Sequence, residues 1–225
     1  RIYNLKKKKS LLPINVVLMA GGRGERLRPL TEKIPKPLLP IGDKAIIDYN
    51  VDRLIEYGIE DIYITTNYLA EQIEQHFEKE RDHIKIKCFR EEKYLGTIAS
   101  IKDIPFVKND DVLVMNSDLF TNIDFEEFYR FFKENDADMS VAAVPYSVRI
   151  PYGIIELEGK KITAIKEKPT YNHYVNAGIY IIKRSLLDMI PDNTFYDATD
   201  FINLLTSIGK SVIRYPLVGY WVDIG

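Results

Sequence analysis

The chain has 225 residues, of which 46% are apolar and 28% are charged, a balance typical of a soluble globular protein with a sizeable core. The formal net charge of -2 argues against a general nucleic-acid binder, and no apolar run approaches the roughly 18 residues that span a bilayer. Cys88 is the single cysteine, which excludes an internal disulfide and favours a cytoplasmic protein.

The first half of the chain predicts strands that alternate with helices. The apolar runs predict strands over 15–19, 61–65, 84–89 and 112–115. Apolar residues at helical spacing predict helices over 46–55, 69–77, 97–104 and 125–132. This alternation indicates an α/β protein with a Rossmann-like, mostly parallel sheet flanked by helices on both faces.

The second half has more strands and fewer helices. Its patterns predict strands over 139–144, 154–157, 162–166, 175–182, 212–216 and 220–222, and helices over 185–190 and 198–207. The segment 158–160 reads as a hairpin turn. We therefore expect additional antiparallel strands that close over the site. Residues 1–13 begin with a lysine-rich stretch and are interpreted as a linker, which leaves 14–225 as a single domain.

A glycine-rich loop directly follows the first strand. It contains Gly21, Gly22 and Gly24, and such a loop can direct several backbone N–H groups at one anion. Five cations follow within the same stretch: Arg23, Arg26, Arg28, Lys33 and Lys36. Because arginine and lysine both bind phosphate oxygens, the loop predicts a site for a triphosphate or pyrophosphate. The alternative is an ordinary strand-to-helix turn with a solvated basic face.

The loop is neither of the two common phosphate-binding motifs. A P-loop requires Gly-Lys-Ser/Thr after four intervening residues, and a dinucleotide-binding fingerprint requires a glycine where Leu27 stands.

Two aspartates follow predicted strands. Asp118 comes after the strand at 112–115, and Asp223 comes after the strand at 220–222. Ligands of open α/β sheets lie beyond the carboxyl ends of the strands, so Asp118 is expected beside the glycine loop. A magnesium ion takes few protein carboxylates and keeps water and phosphate oxygens as its other ligands. The alternative for Asp118 is a helix N-cap or a turn residue.

The loop sequence resembles a family signature. The string Gly21-Gly22-x-Gly24-x-Arg26-Leu27-x-Pro29-Leu30-Thr31, followed by Pro35-Lys36-Pro37, is similar to that of the sugar-1-phosphate nucleotidyltransferases. These nucleotide-sugar pyrophosphorylases include mannose-1-phosphate guanylyltransferases and glucose-1-phosphate thymidylyltransferases, and the resemblance covers nearly the whole chain. Glu25 stands where many members carry Thr. The resemblance implies the nucleotide-diphospho-sugar transferase fold. Some members carry regulatory modules ahead of the catalytic domain, which would fit the linker; a homo-oligomer is also compatible with the sequence.

The resemblance also implies site residues. Catalysis would fall to Arg26, Lys36 and Asp118, and nucleotide binding to Ala20, Gly21, Gly22, Gly24, Glu25, Leu95 and Gly96. The sugar phosphate would be bound by Gly153, Glu167, Lys168, Asn176 and Gly178, and Mg²⁺ by Asp118 and Asp223. Pro169 should hold Lys168 in an extended conformation. The alternative for the segment around Lys168 is a solvated, charged strand end.

The implied reaction transfers a nucleotidyl group from an NTP to a sugar 1-phosphate, with neither nucleic acid nor membrane as a partner. The phosphate nucleophile is already ionised, so no general base is required, and His76, His83 and His173 are interpreted as surface or loop residues. The segment 91–97 resembles the base-binding stretch of guanylyltransferases, with Tyr94 in place of a proline, and favours a purine. The alternatives are thymidylyl or uridylyl transfer to glucose 1-phosphate, cytidylyl transfer to a non-sugar alcohol phosphate, and a non-catalytic regulatory subunit that binds nucleotide sugar.

Overall fold

A computed structural model describes residues 11–78, 84–106 and 108–224. Most of the predicted linker, together with His83 and Gly225, lies outside these ranges. Leu12 packs against the core and donates its amide hydrogen to the carbonyl of Tyr57.

Within the described ranges, the first half of the chain contains seven strands and three α-helices. They are β1 (Asn15–Met19), β2 (Pro40–Ile41), β3 (Lys44–Ala45), α1 (Ile46–Glu56), β4 (Asp61–Thr66), α2 (Ala70–Phe77), β5 (Lys85–Arg90), β6 (Asp111–Asn116), β7 (Leu119–Thr121) and α3 (Phe125–Glu134).

The described part of the second half contains six strands and one α-helix. They are β8 (Met139–Arg149), β9 (Ile154–Glu158), β10 (Lys161–Lys166), β11 (Thr170–Lys183), α4 (Ala198–Ser207), β12 (Val212–Pro216) and β13 (Trp221–Asp223).

Seven of these strands form the central sheet, in the order β12-β8-β11-β6-β1-β4-β5. Strand β11 runs antiparallel to both of its neighbours, and the other described pairings in this sheet are parallel. Three further antiparallel pairs of the described strands lie outside it: β2 with β3, β9 with β10, and β7 with β13. The predicted fold, a mostly parallel sheet with antiparallel additions in the second half, is confirmed.

The core lies on both faces of the sheet because its central strands are apolar on both sides. In β1, Val16 and Leu18 face one cluster, while Val17 faces the other. Helices α1, α2 and α3 cover the first face, and α3 contributes Phe128 to it. Helix α4 covers the second face through Phe201. Continuous apolar strands of this kind are typical of sheets that are buried on both faces.

Two predicted helices are short 3-10 turns instead. The chain forms them over Ala99–Asp103 and Arg184–Met189, so the helices predicted at 97–104 and 185–190 are wrong in type, and the first is also shorter than predicted. Three buried isoleucines recur at every third position: Ile98, Ile101 and Ile104. Backbone hydrogen bonds run from the amide of each of the last two to the carbonyl of the one before it. That spacing matches a 3-10 helix, which has three residues per turn.

Sequence patterns missed the smallest elements, which are the β2–β3 hairpin and β7. Strands of two or three residues carry too few alternations to be recognised. Within the described ranges, none of the helices has the length and apolar character needed to cross a membrane.

Phe128 tests the packing of α3 on the sheet. Its side chain is fully buried, with its ring centroid 4.6 Å from that of Tyr215. We expect Phe128→Ala to lower the free energy of unfolding by about 3–5 kcal/mol, because it leaves a large cavity. The matched variant Phe131→Ala, in the same helix, should cost clearly less because Phe131 is only partly buried. Urea denaturation compares them, and equal losses would contradict this account of the core.

Candidate active site

A cavity of about 430 Å³ opens at the carboxyl ends of β1, β4 and β6. Its wall includes Met19, Thr65 and Asn116, which end or nearly end these three strands. Nine of the predicted site residues line it: Ala20, Gly21, Gly22, Gly24, Glu25, Arg26, Lys36, Gly96 and Asp118. The parallel pairing of β1 with β4 and β6 brings these ends to one edge of the sheet.

The glycine loop leads into a series of 3-10 turns, not into an α-helix. Gly24 adopts a left-handed φ of 59°, and its carbonyl accepts a hydrogen bond of 2.8 Å from the Thr31 hydroxyl. A Cβ added at Gly24 would lie 2.9 Å from a methyl group of Thr31 and 3.0 Å from the Cβ of Lys36. Glycine is therefore required at this position both for the turn and for the close packing.

Glu25 and Arg28 form an ion pair at the rim of the loop. Their charged groups are 3.4 Å apart, and both side chains are more than half exposed. An exposed pair of this kind contributes little to stability, so both residues are available to a ligand at small energetic cost.

Two aspartates and one lysine meet at the inner end of the loop. Lys36 Nζ forms an ion pair with Asp118 Oδ2 and lies 3.5 Å from Asp223 Oδ1. Asp118 follows β6, while the antiparallel pairing of β13 with β7 brings Asp223 opposite Leu119. Lys36 is only 9% exposed and Asp118 is half-buried, whereas Asp223 lies at the water-exposed side of the cluster.

The two carboxylates suit a hard divalent cation. Asp118 Oδ1 is buried and accepts no hydrogen bond from any described residue, so it has a free coordination position. The described ranges contain no cluster of three or more His, Cys, Asp or Glu side chains placed to hold a metal. A metal at this position would therefore take its remaining ligands from water or from a bound phosphate. Mg²⁺ is typically coordinated in this way in proteins.

Glu91 begins the segment 91–97 that the resemblance linked to base binding, but it was not itself one of the predicted site residues. It follows β5, lines the cavity and is only 8% exposed. Its Oε1 accepts a hydrogen bond of 2.6 Å from the Ser100 hydroxyl, whereas Oε2 has no described partner. Burial raises the pKa of this carboxyl above its usual value. Its position directly after a predicted strand was the signal in the sequence that could have singled it out.

The loop after Glu91 is clamped by the segment before α4. Tyr196 donates its amide hydrogen to the Leu95 carbonyl over 2.7 Å, and the Thr97 amide donates to Asp197 Oδ1 over 2.9 Å. Gly96, at φ 95°, lines the cavity. Leu95 packs into the second core cluster and is not in the cavity wall, so it can act on a ligand only through its backbone or by supporting Gly96.

The predicted sugar-phosphate residues lie outside this cavity wall. Gly153 and Glu167 adjoin, since a Cβ added at Gly153 would lie 3.0 Å from Glu167 Oε2. Lys168 Nζ is 3.8 Å from Glu167 Oε1, and both side chains are more than half exposed. Lys168 has a φ of 44°, so the predicted extended conformation is wrong. Only three residues join β10 to β11, and Lys168 is left-handed in this short connection despite the following proline.

Asn176 and Gly178 lie at an irregularity of β11, next to the cavity wall. The Gly178 amide donates to Asn176 Oδ1 over 2.9 Å, and Asn176 Nδ2 donates to the Tyr180 hydroxyl over 2.8 Å. A Cβ added at Gly178 would lie 2.6 Å from Asn116 Nδ2. This part of β11 therefore touches the cavity through Asn116.

Of the described residues, His76, His173 and Cys88 do not line the cavity. The described residues that line the cavity include no histidine. His76 Nε2 lies 2.8 Å from Asp48 Oδ1, and His173 is exposed on β11. Burial raises the pKa of the Cys88 thiol to about 11, so it is protonated at neutral pH and is not a nucleophile.

The chain belongs to the nucleotidyl transferase family, whose sequence profile matches residues 15–225. It is 33% identical to a mannose-1-phosphate guanyltransferase of Yarrowia lipolytica over 219 residues, which are 93% of this chain and 60% of that protein. It is 27% identical to a mannose-1-phosphate guanylyltransferase catalytic subunit beta of Xenopus tropicalis, over 94% of this chain and 61% of that protein. The crystal structure of HddC from Yersinia pseudotuberculosis shares the fold, with a TM-score of 0.73 and 24% identity over 94% of this chain and 93% of that one. The chain thus spans about 60% of the length of these curated relatives.

Gly96 tests the clamp that holds the loop beside Glu91. A Cβ at this residue would lie 2.6 Å from the Tyr196 carbonyl oxygen, and a φ of 95° strains any L-residue. We expect Gly96→Ala to lower the free energy of unfolding by about 3 kcal/mol or more. The matched control is Gly159→Ala at the β9–β10 turn, where φ is also positive but no atom lies within 4 Å. In the same urea titration, the control should lower the free energy of unfolding by about 1 kcal/mol. Equal losses in the two variants would show that Tyr196 does not pack tightly against Gly96.

Proposed function

We propose that this chain transfers a guanylyl group from GTP to a mannose-like or amino-sugar 1-phosphate and releases pyrophosphate. The observation that carries the proposal is the meeting of the glycine loop with Lys36 and Asp118 at one cavity, with Asp223 Oδ1 3.5 Å from Lys36 Nζ. The names of the Yarrowia and Xenopus relatives support guanosine as the nucleoside and mannose 1-phosphate as the acceptor. The single cysteine supports a reducing, cytoplasmic setting.

The reaction needs positioning and charge neutralisation more than proton transfer. A phosphate oxygen of the sugar 1-phosphate attacks the α-phosphorus of GTP, the bond from that phosphorus to the bridging oxygen breaks, and pyrophosphate leaves. The attacking oxygen is already ionised, which agrees with a cavity wall whose described residues include no histidine. Catalysis then depends on aligning two anions that repel each other.

The loop would hold the triphosphate. Backbone N–H groups of Gly21, Gly22 and Gly24 would bind phosphate oxygens, with Ala20 and Glu25 completing the loop. Arg26, which lines the cavity, would stabilise the negative charge that develops on the leaving pyrophosphate. Lys36 lies at the inner end of the loop, where it would meet the α-phosphate or the attacking phosphate.

Asp118 and Asp223 would hold one Mg²⁺. The unpartnered Oδ1 of Asp118 supports this assignment. Bound there, Mg²⁺ would neutralise charge at the α-phosphate and help to orient the two substrates. Asp118 lies between β6 and β7, and Asp223 is the last residue of β13, so the strands of the fold fix both positions.

The sugar phosphate would bind along the β10–β11 connection. Lys168 is half-exposed and paired only loosely with Glu167, so its ammonium can bind an incoming phosphate. Glu167 and Asn176 would accept or donate hydrogen bonds to sugar hydroxyls, while Gly153 and Gly178 leave room for the ring. Gly178 adjoins Asn116 of the cavity wall, which supports an acceptor site next to the nucleotide.

Glu91 supports guanine as the base. The Watson–Crick edge of guanine presents two adjacent N–H donors, which a carboxylate can accept together. Thymine and uracil present one N–H donor between two carbonyl oxygens, and these oxygens would be repelled by a carboxylate. Since Glu91 Oε2 is buried without a described partner, a base that donates to it relieves an unsatisfied acceptor.

The direct test is release of pyrophosphate with Mg²⁺ across GTP, ATP, UTP, CTP and dTTP and a panel of sugar 1-phosphates and alcohol phosphates. We expect release to require GTP together with a mannose-like or amino-sugar 1-phosphate. Asp118→Asn should lose nearly all turnover while keeping its circular dichroism spectrum, because one carboxylate charge of the metal site is gone. The control Asp188→Asn alters an exposed aspartate outside the cavity and should keep full turnover.

The other candidate functions predict different outcomes of this panel. Turnover only with UTP or dTTP and glucose 1-phosphate would replace the guanylyl assignment, and turnover with CTP and an alcohol phosphate would replace the sugar. No turnover with any pair, but binding of nucleotide sugar, would identify a regulatory subunit. Retained turnover in Asp118→Asn would remove the assigned metal site.

A second prediction concerns base selection by Glu91. In Glu91→Gln, an amide donor would face one of the two guanine donors. We therefore expect kcat/KM for GTP to fall about 10–100-fold, the range for losing a hydrogen bond to a charged group. The ratio of UTP or dTTP to GTP should rise, because Gln can both donate to and accept from these bases. The matched control is Glu92→Gln, an exposed neighbour that should leave the ratio unchanged. An unchanged ratio in Glu91→Gln would place the base elsewhere.

A further inference from the structure

We infer that Lys36 is a place-holding cation: in the absence of metal its ammonium group occupies the position between Asp118 and Asp223, and metal binding releases it toward the phosphates. The inference rests on the proposed function, because it takes these two carboxylates as the metal ligands. It adds a reciprocal relation between Lys36 and the metal, which the proposed reaction by itself does not require.

The ion-pair geometry places the ammonium in this position. Lys36 Nζ contacts Asp118 Oδ2 and lies 3.5 Å from Asp223 Oδ1. The Lys36 side chain is 11% exposed and that of Asp118 is 18% exposed, so water screens their charges poorly. Two carboxylates held together in such surroundings repel each other unless a cation lies near them.

One position cannot hold both cations. An ammonium group and a divalent cation bound to the same two carboxylates would be within a few ångströms of each other. Their repulsion is strong in a site with little water. Asp118 Oδ1 is open to a metal, but the ammonium held on Oδ2 repels it, so Lys36 must move away for a metal to bind Asp118 and Asp223 tightly.

The surroundings of Lys36 provide a destination for the released group. A Cβ at Gly24 would lie 3.0 Å from Lys36 Cβ and 3.4 Å from its Cδ, so the lysine stem runs along the glycine loop. Pro35 and Pro37 flank the residue and restrict its backbone, which leaves side-chain rotation as the route of movement. Rotation about this stem swings the ammonium from the carboxylates toward the loop that would hold the triphosphate.

This arrangement couples the two halves of the nucleotide site. Without metal, Lys36 is retained by the carboxylates and is withheld from phosphate. With metal bound, the carboxylates are neutralised and Lys36 becomes available as a positioning residue. Metal and triphosphate therefore assist each other's binding through Lys36, in addition to any direct contact between them.

The experiment measures Mn²⁺ binding without nucleotide, by the electron paramagnetic resonance signal of free Mn²⁺. Lys36→Met keeps a long apolar stem and removes the competing charge. We expect it to bind Mn²⁺ about tenfold more tightly than the unaltered chain, within the range of about 5–150-fold typical for coupled sites. Equal or weaker binding would overturn the inference.

Two control variants separate the possible causes. Lys44→Met removes the same charge from an exposed pair with Asp52 and should leave Mn²⁺ affinity unchanged. If it raises the affinity as much as Lys36→Met, a general charge effect replaces the specific exchange. Asp118→Asn, alone and combined with Lys36→Met, should bind Mn²⁺ far more weakly. If it does not, the metal site assigned in the proposed function is itself wrong.

A measurement on the unaltered chain covers the case in which Lys36→Met does not fold. Lys36 should be protected from an amine-acylating reagent without metal and should become reactive when Mn²⁺ is added, as read by peptide mass spectrometry. Unchanged acylation of Lys36 across the Mn²⁺ titration would contradict its release.

Discussion

The constraint on which the rest of the structure depends is the parallel pairing of β1 with β4 and β6. Val17 lies opposite both Tyr63 and Val114, so the three strands end at one level. The glycine loop and Asp118 leave the sheet at that level, and the cavity lies between them. The apolar contacts of β1 on both faces stabilise this register, because a slip by one residue would exchange the sides of Val16, Val17 and Leu18.

The sequence was sufficient for most of the fold because its long elements carry clear periodicity. Strand β1 and helix α4 have the predicted bounds, and the loop lies at the predicted edge. The periodicity failed at 97–104, where apolar residues repeat every three positions and the chain forms a 3-10 turn. Lys168 was predicted to be extended because Pro169 follows it. In the short connection between β10 and β11 it is left-handed instead.

The site was only partly predictable, because its geometry depends on contacts between distant parts of the chain. The resemblance to the family identified Lys36 and Asp118 as separate residues. Only the folded chain shows that they form an ion pair and that Asp223 lies 3.5 Å from Lys36 Nζ. Glu91 carries no recognisable spacing to the other site residues. Its importance arises from burial beside Ser100 and from an unpartnered oxygen, which local sequence does not encode.

The pairing of β13 with β7 has a consequence for the chain as it is synthesised. It brings Asp223 to a site whose loop, lysine and first carboxylate are all encoded in the first 118 residues. A nascent chain that has emerged only through α3 therefore carries the glycine loop, Lys36 and Asp118 without Asp223. Because β13 is synthesised after the strands of the central sheet, Asp223 can join Lys36 and Asp118 only when those strands are already made.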